Sequence, residues 1–142
     1  MRILGFNFSK ISVERLKGKQ GELSVNSNID IEDIEELKDN ILKGEEKPIQ
    51  IDFIYTVKYD PEIAKIDLKG TIILSLEEQQ AKDTLRDWKK KKLPDEFRNV
   101  VFNIILRKAT IKALELEDEM NLPTHMPMPV VSNENTEEKK EK

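Results

Sequence analysis

The chain has 142 residues, of which 37% are hydrophobic and 37% charged, and a formal net charge of -4. That length suits one domain with a core of its own, and the acidic balance argues against general nucleic-acid binding, which needs a basic face. With no cysteine and a single histidine, His125, disulfides, thiolate chemistry and a multi-histidine metal site within one chain are excluded. No apolar run approaches the ~20 residues of a bilayer span. The opening MRILGFNFSK lacks the apolar stretch and cleavage site of a signal peptide, so a cytoplasmic location is expected, with no membrane partner.

In chain order, residues 3–15 read as a strand. Leu4, Phe6 and Phe8 share one parity and Ile11 and Val13 the other, so a β-bulge is expected near Ser9 and Lys10. Lys17 to Gly21 is a turn by composition. Leu23, Val25, Ile29 and Ile31 alternate with polar residues and define a second strand. Its continuation is open: Ile34, Leu37, Ile41 and Leu42 have helical spacing, yet the strand can also run on to about Glu36. Residues 43–47 form a charged loop.

Residues 49–76 organise the rest. Ile49, Ile51, Phe53, Tyr55, Val57 and Tyr59 alternate with mainly polar residues, which places them on one face of a strand. Asp60-Pro61 interrupts the pattern, since Pro61 fixes φ and has no N–H to donate. Alternation then resumes through Ala64, Ile66, Leu68, Gly70, Ile72, Leu74 and Leu76. Two such runs joined by so short a link pair as an antiparallel hairpin.

Residues 77–92 form a helix with acidic residues at its start and four lysines at its end, as the helix dipole favours. Its apolar face is thin: Ala81, Leu85 and Trp88. Pro94 opens a long helix over residues 95–119. Phe97, Val100, Val101, Ile104 and Ile111 make one apolar stripe, and Phe102, Leu106, Ala109, Ala113 and Leu116 make another, with Ile105 between them. An ordinary surface helix carries one stripe. The second, through Phe102, Leu106, Ala109 and Ala113, is read as an oligomer interface; the competing reading folds the shorter helix over it.

Pro123, Pro127 and Pro129 keep residues 120–131 out of helix, while Leu122, Met126, Met128 and Val130 make the segment apolar. It can wall a groove, or it can pack on the sheet as ordinary core. The face carrying Phe53, Tyr55 and Tyr59 can form the groove floor or belong to the core. Residues 132–142 have no apolar side chain and read as a disordered charged tail, leaving residues 1–131 as the domain. Nothing forms a catalytic constellation. His125 has no serine–carboxylate setting, glycines form no phosphate cradle, and no cofactor is implied. The Lys89 to Lys92 run, beside Trp88, is read as a solvated helix end; the competing reading is contact with an acidic partner or RNA.

This order of elements, with Asn121-Leu122-Pro123 after the long helix, resembles the SecB-like chaperone family. The resemblance implies an α+β subunit, a four-stranded antiparallel sheet with helices on one face, assembled as a dimer of dimers. It also implies an ATP-independent holdase of unfolded or extended polypeptides. Their groove would be built here from Phe53, Tyr55, Tyr59, Leu122, Met126, Met128 and Val130. Two departures are plain. The second C-terminal helix of the export chaperone is absent, and the outer sheet face mixes Asp52, Lys58, Lys65, Asp67 and Lys69. The exporter docks the SecA motor on an acidic face, so the resemblance does not extend to SecA docking. A dedicated adaptor or assembly subunit is the alternative to a general chaperone.

Overall fold

The computed structural model describes residues 1–38 and 44–133. Four strands, β1 (Arg2–Arg15), β2 (Ser24–Glu36), β3 (Glu46–Asp60) and β4 (Ala64–Glu77), precede two helices, α1 (Glu78–Lys89) and α2 (Asp95–Glu119). Among the described residues the strands form one antiparallel sheet in the order β1-β4-β3-β2.

The expected hairpin is its centre. Ile49 lies opposite Leu74, Phe53 opposite Gly70 and Tyr59 opposite Ala64, so both apolar sets share the inner face and are buried. Gly70 is required there: a Cβ would come within 2.6 Å of the Asn7 carbonyl and 2.7 Å of the Phe53 ring. Phe53 fills the space, with the rings of Phe6 and Phe8 at centroid distances of 5.4 and 6.4 Å. On the outer face Asp52 accepts from Thr71 Oγ1 at 2.9 Å, and Lys65 and Lys69 sit 3.5 and 3.8 Å from Asp67 and Glu32. Two of its lysines are thus paired with nearby carboxylates.

Both edge strands depend on bulges. In β1 the register shifts between Phe8 and Lys10, where the parity of the apolar residues changes, so Phe6, Phe8, Ile11 and Val13 all point inward. A second shift falls between Ile3 and Gly5. β2 runs to Glu36 as a strand, with a shift between Ile31 and Asp33 that puts Ile31 opposite Phe53 and Ile34 opposite Ile51. The bulge therefore takes up the change of parity that gave this stretch its helical look. Ile41 and Leu42 lie outside the described residues, as does the start of the expected loop, while Glu46 and Lys47 already belong to β3.

β1 and β2 occupy opposite edges, so their link must cross three strand spacings, about 14 Å. It does so under the hairpin tip, with Leu16, Gly18 and Lys19 amides donating to the carbonyls of Ile63, Glu62 and Pro61. The lysine- and glycine-rich stretch is thus a crossover tied to the β3–β4 turn rather than a tight turn. Gly18 takes φ +75° there, a conformation that glycine adopts without the Cβ penalty.

The helices cover the inner face. Six of the seven buried residues of α2, Phe97, Val101, Ile105, Ala109, Ala113 and Glu117, form a strict i, i+4 row, and Leu116 is the seventh. Such a row is inclined to the helix axis, so the covered side migrates along α2. It takes members from both sequence stripes and leaves Val100 and Ile104 half-buried, with Leu106 and Ile111 40% and 62% exposed.

Candidate polypeptide-binding surface

The end of α2 sets up the surface. The Leu122 amide donates to the Glu117 carbonyl at 2.8 Å and the Asn121 amide to the Asp118 carbonyl at 3.3 Å, while Asn121 takes φ +53°. This is a Schellman closure, in which asparagine tolerates the left-handed position and the next residue turns inward. Leu122 is accordingly buried, and Pro123 prevents the helix from resuming.

The strap that follows is held from two strands and from α2. The Arg15 guanidinium donates to the Met120 carbonyl, and the Tyr59 hydroxyl donates to the Pro123 carbonyl. Glu117 occupies the position one step beyond Ala113 on the buried row and has no exposed surface. Its carboxylate accepts from the His125 amide at 3.1 Å and from His125 Nδ1 at 2.8 Å. A carboxylate only accepts, so its partner fixes the imidazole tautomer with the proton on Nδ1. The His125 ring also meets Tyr55 edge-on at 6.2 Å. Buried polar groups persist where they are paired, and here the pairing fastens His125 to the end of α2.

Tyr55 and Tyr59 line this polar pocket. Burial raises both phenol pKa values above 10.0, and the charge of Glu117 adds to the rise in each case, while hydrogen bonds to Ser27 and Thr110 oppose it at Tyr55. Both hydroxyls therefore stay protonated as donors through neutral and mildly alkaline pH.

Beyond His125 the chain is exposed. Met126 and Met128 are 41% and 49% accessible and Val130 79%, and the Thr124 hydroxyl bonds to the Met126 carbonyl at 2.8 Å. The expected groove therefore divides. Phe53, Tyr55 and Tyr59 are core, as is Leu122, and none of them offers surface to a ligand; Met126, Met128 and Val130 do. The expected oligomer interface divides likewise. Ala109 and Ala113 are fully buried against their own sheet; Phe102 is half-buried and Leu106 exposed. The physical reason is the same in both cases: periodicity shows which residues share a face, and only tertiary packing decides which face is covered.

A second apolar area flanks α2 on the β1 side. A cavity of about 660 Å³ is bordered there by Ile3, Val100 and Ile104 together with Asn103, Arg107 and Lys108, with Ile3 and Ile11 exposed along β1. Among the described residues, no helix is long and apolar enough to cross a membrane.

No family model matches the chain, and no curated protein matches it in sequence. Among solved structures it is similar to the Mycobacterium tuberculosis SecB-like chaperone in complex with a ChAD peptide from an antitoxin. The TM-score is 0.51 over 93% of this chain and 91% of that one, at 8% identity. Identity that low carries the fold alone. The chain has an α+β, SecB-like fold: a four-stranded antiparallel sheet with two helices.

Proposed function

We propose that this chain is an ATP-independent, holdase-type chaperone that binds unfolded or extended polypeptides and has no chemistry of its own. One observation carries the reading: an apolar, methionine-rich segment is clamped at one end and exposed at the other. Residues 120–125 are fixed through Glu117, Tyr59 and Arg15, so Met126, Met128 and Val130 are presented rather than consumed. Methionine is polarizable and conformationally adaptable, which suits clients of differing shape. The peptide in the similar chaperone's structure supports a polypeptide ligand. We further propose that the subunit works in the cytoplasm as a homo-oligomer, a dimer of dimers through exposed residues of α2. Residues 1–131 would form the domain, with the charged tail outside it.

The test is Met126→Glu with Met128→Glu. Both sites are partly exposed, so the new charges cost little stability, within about 0.5 kcal/mol. Light scattering of an unfolding client should show protection lost while circular dichroism and melting temperature stay near those of the parent. Protection retained at the parent's level would refute the assignment. A panel of unrelated clients separates the chaperone from a dedicated adaptor, which would protect one partner only.

A further inference from the structure

The helix dipole explains why lysines end α1, but not the company they keep. α1 closes with the Lys91 amide donating to the Trp88 carbonyl at 2.8 Å and the Lys92 amide to the Asp87 carbonyl at 3.1 Å. Lys91 thereby sits at φ +57°, the left-handed position where glycine is the usual residue. A side chain in that conformation is strained, and here it lays the Lys91 ammonium 4.2 Å from the centroid of Trp88. The indole N–H of Trp88 donates to Asp33 at 3.3 Å, at the β2 bulge. Arg98 and Phe102 of α2 close the other side.

These elements border an open cavity of about 550 Å³ beside the β2 edge. Its apolar wall is Ile31, Trp88 and Phe102, and its cationic rim is Lys91, Lys92 and Arg98. The opposing carboxylate in the lining, Asp30, is already engaged by Asn28 Nδ2 at 2.9 Å, and Asp95 holds one side of Arg98 at 3.0 Å. β2 pairs with β3 alone among the described strands, so its outer main-chain groups are available to a further strand.

We propose that this cavity binds an extended acidic segment of another polypeptide. An apolar or aromatic side chain of that segment sits between Trp88 and Phe102, its flanking carboxylates lie on Lys91, Lys92 and Arg98, and its backbone pairs along β2. A single-stranded nucleic acid fits less well. It carries a charge at every residue, and so would lie against Asp30, Glu32 and Asp33, whereas a peptide can confine its carboxylates to the cationic rim. The proposal deepens the polypeptide-binding reading and rests on it, adding a charge preference at a separate location from Met126 and Met128.

Trp88 is the only tryptophan, so its emission reports on the cavity directly. The full chain is titrated with three peptides that share a Leu-Phe-Leu centre and differ in flanks: paired Glu, paired Gln or paired Lys. The acidic peptide should move Trp88 emission and bind about tenfold tighter than the Gln peptide at low salt, about 1.4 kcal/mol, with the gap narrowing as salt rises. Lys91→Glu with Lys92→Glu should reverse the order of the acidic and basic peptides. Lys91→Gly should weaken the acidic peptide while the melting temperature holds or rises, since glycine relieves the left-handed strain. Equal binding of all three peptides overturns the proposal, as does a preference that survives charge reversal, or tighter binding of oligouridylate than of the acidic peptide. If acidic-peptide binding is absent while client protection through Met126 and Met128 persists, this inference fails alone. If both are absent, the chaperone reading fails with it.

Discussion

Glu117→Ala tests the clamp that presents the exposed segment. The carboxylate accepts from the His125 amide and from His125 Nδ1, in a site where Glu117 has no exposure and the His125 side chain only 5%. Its removal strands two buried donors. Each unsatisfied buried donor costs about 1–3 kcal/mol, which puts the loss at about 2–6 kcal/mol. Water entering the vacated space recovers part of this, so about 3 kcal/mol is expected. Against a total stability of about 5–15 kcal/mol that is a large change, and for a chain of this size it corresponds to about 10 °C in melting temperature. Urea titration followed by circular dichroism measures it, with a lower midpoint at an unchanged slope. His125→Ala should cost a comparable amount, because it leaves the carboxylate buried without its partner. The double variant should then cost clearly less than the sum of the two. A loss below about 0.5 kcal/mol for Glu117→Ala, the level of an ordinary surface change, would refute the clamp. Strict additivity of the two single variants would do the same.

Three further outcomes follow from other parts of the molecule. Gly70→Ala should destabilise by about 1–3 kcal/mol, because its Cβ meets the Asn7 backbone carbonyl as well as Phe53; a melting temperature equal to the parent's would contradict the close approach. The tyrosines set an alkaline limb. Their folded pKa values lie above the unfolded value of 10.0, so their contribution is complete below about pH 10 and falls as pH rises beyond it. Urea midpoints across that range should decline less steeply in Tyr59→Phe than in the parent, and parallel curves would count against it. For assembly, light scattering of the parent should give a multiple of 16.5 kDa, and Leu106→Asp should reduce it; a monomeric parent would end the oligomer proposal.

The parts of the fold that were legible share one property: their signal is local. The alternation through Phe53, Tyr55 and Tyr59, the stop at Asp60-Pro61 and the parity change across Ser9 in β1 are each contained in a few residues. The β2 bulge had the same kind of signal, Ile31 odd and Ile34 even. It was masked because Ile34, Leu37 and Ile41 also fit a helical period, and short apolar runs satisfy both templates. The candidate surface was half legible. Prolines correctly kept residues 120–131 out of helix, but whether each apolar side chain ends up inside or outside depends on contacts with distant strands. Leu122 is drawn in by the closure of α2, while Met126 and Met128 lie past the point where His125 fastens the chain. In the sequence Glu117 is one of 28 acidic residues. Its signal was its place in the series from Phe97 to Ala113, visible only once that row is recognised as the buried one.

That row also decides what the surface has left to offer. Two stripes in sequence suggest one face for the sheet and one for a partner, but an i, i+4 row drifts around the helix and draws on both. Ala109 and Ala113 are therefore used inside the subunit, and the apolar remainder is split between the flanks of α2. On the β1 flank lie Val100 and Ile104, beside the exposed Ile3 and between Asn103, Arg107 and Lys108. On the β2 flank lies Phe102, beside Trp88 and three cations. The two flanks ask for different partners. The β1 flank combines an aliphatic centre with an edge strand, so it gains most from a partner that covers it over a large area, and a second copy of the subunit meets that need without sequence selectivity. The β2 flank is a small cavity with a charged rim, which rewards the chemistry of one short segment. Assembly and ligand recognition can then occupy opposite edges of one sheet without competing, and a substitution at Ile104 should alter the first while leaving Trp88 emission on peptide binding unchanged.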